Sequence, residues 1–204
     1  TLGAPVTVAG PVQGVAVADS LLGIAGPAGG GGAAAAALDA PEAALDLQRA
    51  TFFGAVNGLT LAASDCIFDA PATAARRQTG CVRFCYVPPA SQVPRRYRCQ
   101  PQLEVDTRIA ALRTDGLATG TPPTAAQEDA LRAGIEATLR PLFVSRRYGD
   151  PALGQLEARC PQQIRTGAAS GAEMGVYEHL QQPQREANLQ GALTEYLRLG
   201  LTAG

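Results

Sequence analysis

RRQTGCVRFCYVPPASQVPRRYRCQP, from Arg76 to Pro101, packs Arg76, Arg77, Arg83, Arg95, Arg96 and Arg98 together with Cys81, Cys85 and Cys99, and it holds no acidic residue. Three chemistries suit those residue types. Guanidinium groups meet phosphates while Tyr86 and Tyr97 stack on bases, which is how single-stranded nucleic acid is held. Thiolates ligate zinc. Guanidinium groups also pair with carboxylates of a neighbouring segment, which would make the stretch a structural seam. Elsewhere, Asp65 and Asp69 with Arg83 fall on successive apolar segments and would supply the acid/base groups of a polysaccharide-cleaving groove, although an aspartate after an apolar pair also serves a turn. His179 is the one histidine, beside Glu178; it reads as a surface side chain rather than half of a nucleophilic pair.

Strand geometry bears on the metal reading. If CVRFCYV is one strand, Cys81 and Cys85 share a face but lie about 13 Å apart at about 3.3 Å per residue. Neither a common zinc nor a disulfide spans that distance. No metal or other cofactor is expected. Cys81 with Cys99 is kept as the candidate thiol pair, and the odd total of five cysteines suits mostly buried, reduced thiols.

The positive charge is local. The chain has 204 residues and a formal net charge of −1, and every basic residue is arginine. A charge balance this even favours ion pairing over general nucleic-acid binding. Glu104, Asp106, Glu128, Asp129 and Glu136 are the carboxylates expected to receive the arginines. Nucleic acid is therefore not the expected partner. Arg185 and Glu186 are expected to form structural ion pairs of their own. No signal peptide is visible and no apolar run reaches the roughly 18 residues of a membrane span, so a cytoplasmic or particle-associated protein is expected.

Alternating apolar residues mark short strands at VTV from Val6, VAVADSLLG from Val15, LDLQRATFFG from Leu45, LTLAASDCIFD from Leu59 and CVRFCYV from Cys81. Three share a form, an apolar pair after a small polar step and then Gly or Asp: LLG, FFG and IFD. Such a loose repeat suggests a solenoid more than a sandwich, whose tight hairpin turns are nearly lacking. Asn57-Gly58 is the best hairpin candidate. The low-complexity run from Gly26 to Ala44 reads as a surface loop; its glycines lack the Lys-Ser/Thr of a phosphate loop.

After Pro101 the period lengthens to about 3.6. Thr124 with Gln127 forms a capping box ahead of Leu131, Ile135 and Leu139, and the helix should stop before Pro141. Asp150-Pro151 opens a turn. Ser170 with Glu173 repeats the capping spacing, and QPQREANLQGALTEYLRLG should be helical from Pro183 to Gly200.

The chain resembles a family of uncharacterised β-helix-like proteins encoded with bacterial phage-tail-like, contractile injection system genes. The likeness is carried by RRQTGCVRFCYVPP with PRRYRCQP, by RRYGDPALGQLEARCPQQIRTGA and by GAEMGVYEHLQQPQREANLQGALTEYLRLGL, with VADSLLG and AASDCIFD resembling its repeat. It spans nearly the whole chain, strongly from Arg76 onward. Cys85 departs from it, since a serine is expected there, and Glu178-His179 is a variable pair. What the resemblance implies is a mainly β fold: a short right-handed parallel β-helix over 1-101, ending in a coil from Cys81 to Val87, under a helical and loop-rich cap over 102-204. It also implies a non-enzymatic structural or adaptor role among other subunits of a larger assembly. The competing expectation is a polysaccharide-binding or polysaccharide-cleaving protein with carboxylates and aromatics along one groove.

Overall fold

A computed structural model describes residues 6–10, 12–23 and 36–196. Strand β4 (Ala36–Gln48) and strand β6 (Ala55–Ser64) are thirteen and ten residues long and pair in parallel along most of their length. Short strands extend this central pair. On one side β1 (Val6–Thr7) and β2 (Gly14–Ala18) lie end to end along β4. On the other, β8 (Ala72–Ala74) and β9 (Val82–Arg83) share β6, and β10 (Arg96–Tyr97) pairs with β9. A second, three-stranded parallel sheet orders β3 (Leu21–Leu22), β5 (Thr51–Phe52) and β7 (Ile67–Phe68).

The repeat seen in LLG, FFG and IFD has a physical basis in the corner between the two sheets. Asp19, Arg49, Asp65, Phe84 and Arg98 each adopt a left-handed conformation, with φ between 46° and 57°. Aspartate tolerates that region, whereas arginine and phenylalanine there cost roughly 1–2 kcal/mol each. Hydrogen bonds at the corner offset the strain. Ser20 Oγ, Cys66 Sγ, Cys85 Sγ and Cys99 Sγ each donate to the carbonyl two residues earlier, at 2.7, 3.1, 3.0 and 3.5 Å.

Alternation does the rest. Leu45 and Leu47 point inward while Asp46 and Gln48 face out. Across the interior, Phe52 stacks on Phe68 with ring centroids 5.3 Å apart and planes 8° from parallel.

The fold class differs from the expected short right-handed β-helix. The described residues form a mostly parallel seven-stranded sheet with helices after it, an α/β-like arrangement. A stack of equivalent coils would have strands of matched length, but two long central strands here carry much shorter neighbours. Three local expectations are corrected with it. Residues 36 to 44 of the expected Gly/Ala loop are strand, because Leu38, Ala40 and Ala43 bury themselves against the central pair; residues 26 to 35 lie outside the described residues. Asn57-Gly58 sits inside β6 rather than at a turn, and a Cβ on Gly58 would come within 2.5 Å of Leu45 Cδ1. CVRFCYV is not one strand, since β9 ends at Arg83 and the chain turns through Phe84.

Helix α1 (Gln102–Thr119) buries Val105 and Ile109 and ends at left-handed Gly120. Helix α2 (Ala125–Thr138) opens on the expected capping box: Thr124 Oγ1 accepts from the Gln127 N–H, and Gln127 Oε1 accepts from the Thr124 N–H at 2.8 Å. Bidentate pairing of Arg113 with Glu128, at 2.6 Å for each bond, ties α1 to α2. A short α3 (Gln162–Arg165) follows, and α4 (Gln182–Tyr196) carries Pro183 in its first turn, where its missing N–H is harmless. The expected end at Leu197 to Gly200 lies outside the described residues. Ser170 caps no α-helix; the chain from Ser170 to Tyr177 is turn and loop, and a single 3-10 turn covers Glu178–Leu180.

A second apolar cluster joins the halves. Leu21, Phe53, Ile67 and Tyr86 from the sheets pack with Leu139, Phe143, Leu153, Ile164 and Met174.

Candidate functional site

The three residues proposed for a catalytic groove go to three different tasks. Asp65 lies at a corner, where its Oδ1 accepts the Ala169 N–H at 2.6 Å and its backbone carbonyl accepts the Gly175 N–H at 2.8 Å. Burial pushes its carboxyl above the ordinary range, and the Ala169 hydrogen bond opposes the rise. Asp69 receives both arms of Arg146, at 2.6 and 2.9 Å. Its carboxyl is likewise pushed up by burial and held back by that guanidinium. Arg83 instead donates to Ser64 Oγ within the sheet.

Asp65 and Asp69 therefore fasten the later half of the chain to the strands. Thr51 adds a further link, its Oγ1 accepting the Val176 N–H at 3.1 Å. Arg146 also lies over the rings of Phe53 and Phe143, with its guanidinium carbon 5.7 and 5.2 Å from their centroids. The two ring contacts and the bidentate carboxylate together hold the guanidinium in place.

Beside that ion pair opens a cleft of about 630 Å³ between the sheet end and α2, lined by Asp69, Tyr86, Pro88, Glu136, Arg140 and Arg146. Mixed charge, a phenol and proline faces suit a polar ligand such as a sugar. Asp69, its half-buried carboxylate, is already committed to Arg146.

The arginine segment does not form the expected seam. Arg76, Arg77, Arg83, Arg95 and Arg98 are exposed and Arg96 is half-buried. Among the described residues none of the six takes part in an ion pair. Arg96 donates to the Ser91 carbonyl at 3.0 Å. Of the carboxylates expected to receive these arginines, three are used by the helices, Glu104 by Arg108, Asp106 by Gln102 and Glu128 by Arg113, while Asp129 and Glu136 take part in no ion pair among the described residues. Tethering runs with the opposite polarity, sheet carboxylates to later donors. Of the pair near the C-terminus, Glu186 binds Arg165 at 2.5 Å, and Arg185 takes part in no ion pair among the described residues.

The candidate pair Cys81 and Cys99 is separated by burial. Cys81 is exposed and Cys99 buried, and all five cysteines are free. Cys85 is the thiol that adjoins Cys99. Corner residues align on adjacent strands, so Cys66, Cys85 and Cys99 form a ladder, with the Cys66 N–H donating to Cys85 Sγ at 3.3 Å. Burial pushes the Cys85 thiol up, while the hydrogen bond from Cys85 draws Cys99 down. Among the described residues no group of three His, Cys, Asp or Glu side chains is placed to hold a metal ion.

Sequence reasoning also passed over Glu173, which lines a cavity of about 250 Å³ with Arg165, Tyr177 and Glu186. Only 6% of it is exposed, and burial pushes its carboxyl up to about 7, against the pull of Arg165. Its capping-box spacing was the visible signal, but it pointed to the wrong role. In comparisons with known proteins, no family model, no curated protein and no solved structure matches the chain. No helix among the described residues is long and apolar enough to cross a membrane.

Proposed function

We propose that this protein is a non-enzymatic structural or adaptor component of a larger assembly, of the phage-tail-like, contractile injection kind that its sequence resembles. The observation that carries the non-enzymatic part is the fate of the carboxylates. Asp69 and Asp65, which a polysaccharide-cleaving groove would need, bind Arg146 and the Ala169 amide and hold the two halves together. A catalytic acid must be free to exchange a proton with substrate, and these are engaged in the fold. The particle setting is supported by the sequence resemblance.

The second reading, polysaccharide binding, is favoured by the cleft that joins Tyr86, Glu136, Arg140 and Arg146 beside Asp69. One experiment addresses both. Particles purified gently from cells that encode the protein should carry it at fixed stoichiometry with tube and sheath subunits through a density gradient. Sedimentation as a free chain in particle-producing cells would overturn the adaptor reading. Release of reducing ends from acidic or neutral polysaccharides, lost in Asp69→Asn, would replace it with an enzymatic one.

A further inference from the structure

The expectation that Arg76 to Arg98 serve as internal ion-pair partners rested on five carboxylates, none of which meets these arginines among the described residues and three of which bind partners in the helices, so the arginines need another account. Five of these six guanidinium groups are exposed on a chain whose net charge is −1, and none of the six is in an ion pair among the described residues. Their mutual repulsion, weakened by water and salt, is relieved further when an outside anion binds.

Their placement is not scattered. Arg76, Arg77 and Arg95 line one open concavity of about 680 Å³, with Gln78 and Thr79 between them. Two residues beyond Arg95, about 7 Å along the strand, stands Tyr97. Tyr97 is 51% exposed and sits in parallel register beside Arg83. Phe84 meets its ring edge to face, with centroids 5.7 Å apart and planes 86° apart. That contact props the phenol upright and leaves surface for a second flat partner. Arg98 follows at the corner. Asp65, whose backbone N–H donates to the Arg83 carbonyl, has its carboxylate engaged with the Ala169 amide.

We infer that this strip binds single-stranded nucleic acid: Arg76, Arg77 and Arg95 take the phosphates in the concavity, and a base stacks on Tyr97 between Arg83 and Arg98. Arginine forks match phosphate oxygens, and an aromatic face accepts any unpaired base. Single strands are preferred to duplex because a duplex keeps its base faces stacked and out of Tyr97's reach. The site is separate from the cleft at Asp69 and independent of the adaptor role.

Fluorescence anisotropy with a labelled oligothymidylate of about 12 nucleotides tests this on the full chain. Binding in low salt should weaken with added salt along a logarithmic slope of at least about 2, for the three phosphate contacts of Arg76, Arg77 and Arg95. Arg76→Gln/Arg77→Gln/Arg95→Gln should lower that slope by about 2. Tyr97→Ala should weaken binding about tenfold at unchanged slope. Circular dichroism confirms that the variants are folded. Absence of binding at about 20 mM salt overturns the proposal. So does equal affinity for duplex, or displacement by polyaspartate of equal charge together with an inert Tyr97→Ala, which would mark a surface for an acidic protein.

Discussion

The strands before Tyr97 and the helices after Gln102 are stabilised at different ranges. In the sheet half, parallel pairing brings Leu38, Leu47, Leu61 and Phe68 together from distant positions and buries each almost wholly. Helix α2 buries no residue at all; beyond its capping box and one ion pair to α1, half-buried Ile135 packs against the second apolar cluster. Cohesion in the first region is therefore non-local and hydrophobic, and in α2 it is mostly local and polar. The join between them borrows from both, with an apolar cluster at its centre and sheet carboxylates at its margin.

The sharpest way to break this contrast is to truncate each region. Phe68→Ala removes a fully buried ring stacked on Phe52 and should cost about 3–5 kcal/mol in urea unfolding. Leu131→Ala on half-buried α2 should cost about 1 kcal/mol. Equal losses would erase the distinction.

The join is tested next. Asp69→Asn should lower stability by about 1–2 kcal/mol, since it leaves Arg146 over two rings without its carboxylate. Exposed Arg76, Arg77 and Arg95 changed together to Gln should stay within about 0.5 kcal/mol of the parent. A triple variant as unstable as Asp69→Asn would restore the arginines to a structural seam.

Titration sharpens the comparison further. An unfolded glutamate titrates near pH 4.3, whereas Glu173 in the folded protein titrates near 7. The folded state holds this proton more tightly, so its contribution is most favourable below about pH 4.3 and is lost as pH rises to about 7. With allowance for the water-accessible cavity beside it, the change is about 1–2 kcal/mol. Stability curves of Glu173→Gln should be flatter than those of the parent across that window, with a higher Tm at pH 8. Identical curves for the two proteins would remove Glu173 as the cause. A local effect belongs to Thr124→Ala, which should lower protection against hydrogen exchange in the first turns of α2 by up to about 1 kcal/mol while leaving the sheet amides protected.

Legibility followed the range of the interactions. Strands at Val6, Val15, Leu45 and Leu59 were readable because period-two burial is written into consecutive residues, and α2 because its cap lies within four. Helix α1 was passed over: Pro101 supplies no capping side chain, and its buried face comprises little more than Val105 and Ile109. CVRFCYV alternated well enough to pass for one strand, and nothing in its composition announces a left-handed phenylalanine. The site was less legible still. Arg146 and Asp69 are 77 residues apart, and no spacing rule connects them.

The sequence by itself determined where chain could be extended, where one helix begins, and that positive charge is concentrated between Arg76 and Arg98. Those properties depend on neighbours a few residues away. Only the tertiary structure decided which charges are matched. Pairing depends on which segments the sheets bring within about 4 Å of one another, and charges half-buried at the join are screened less than fully exposed ones. Asp65 and Asp69 were consumed in that way. The arginines were left facing outward.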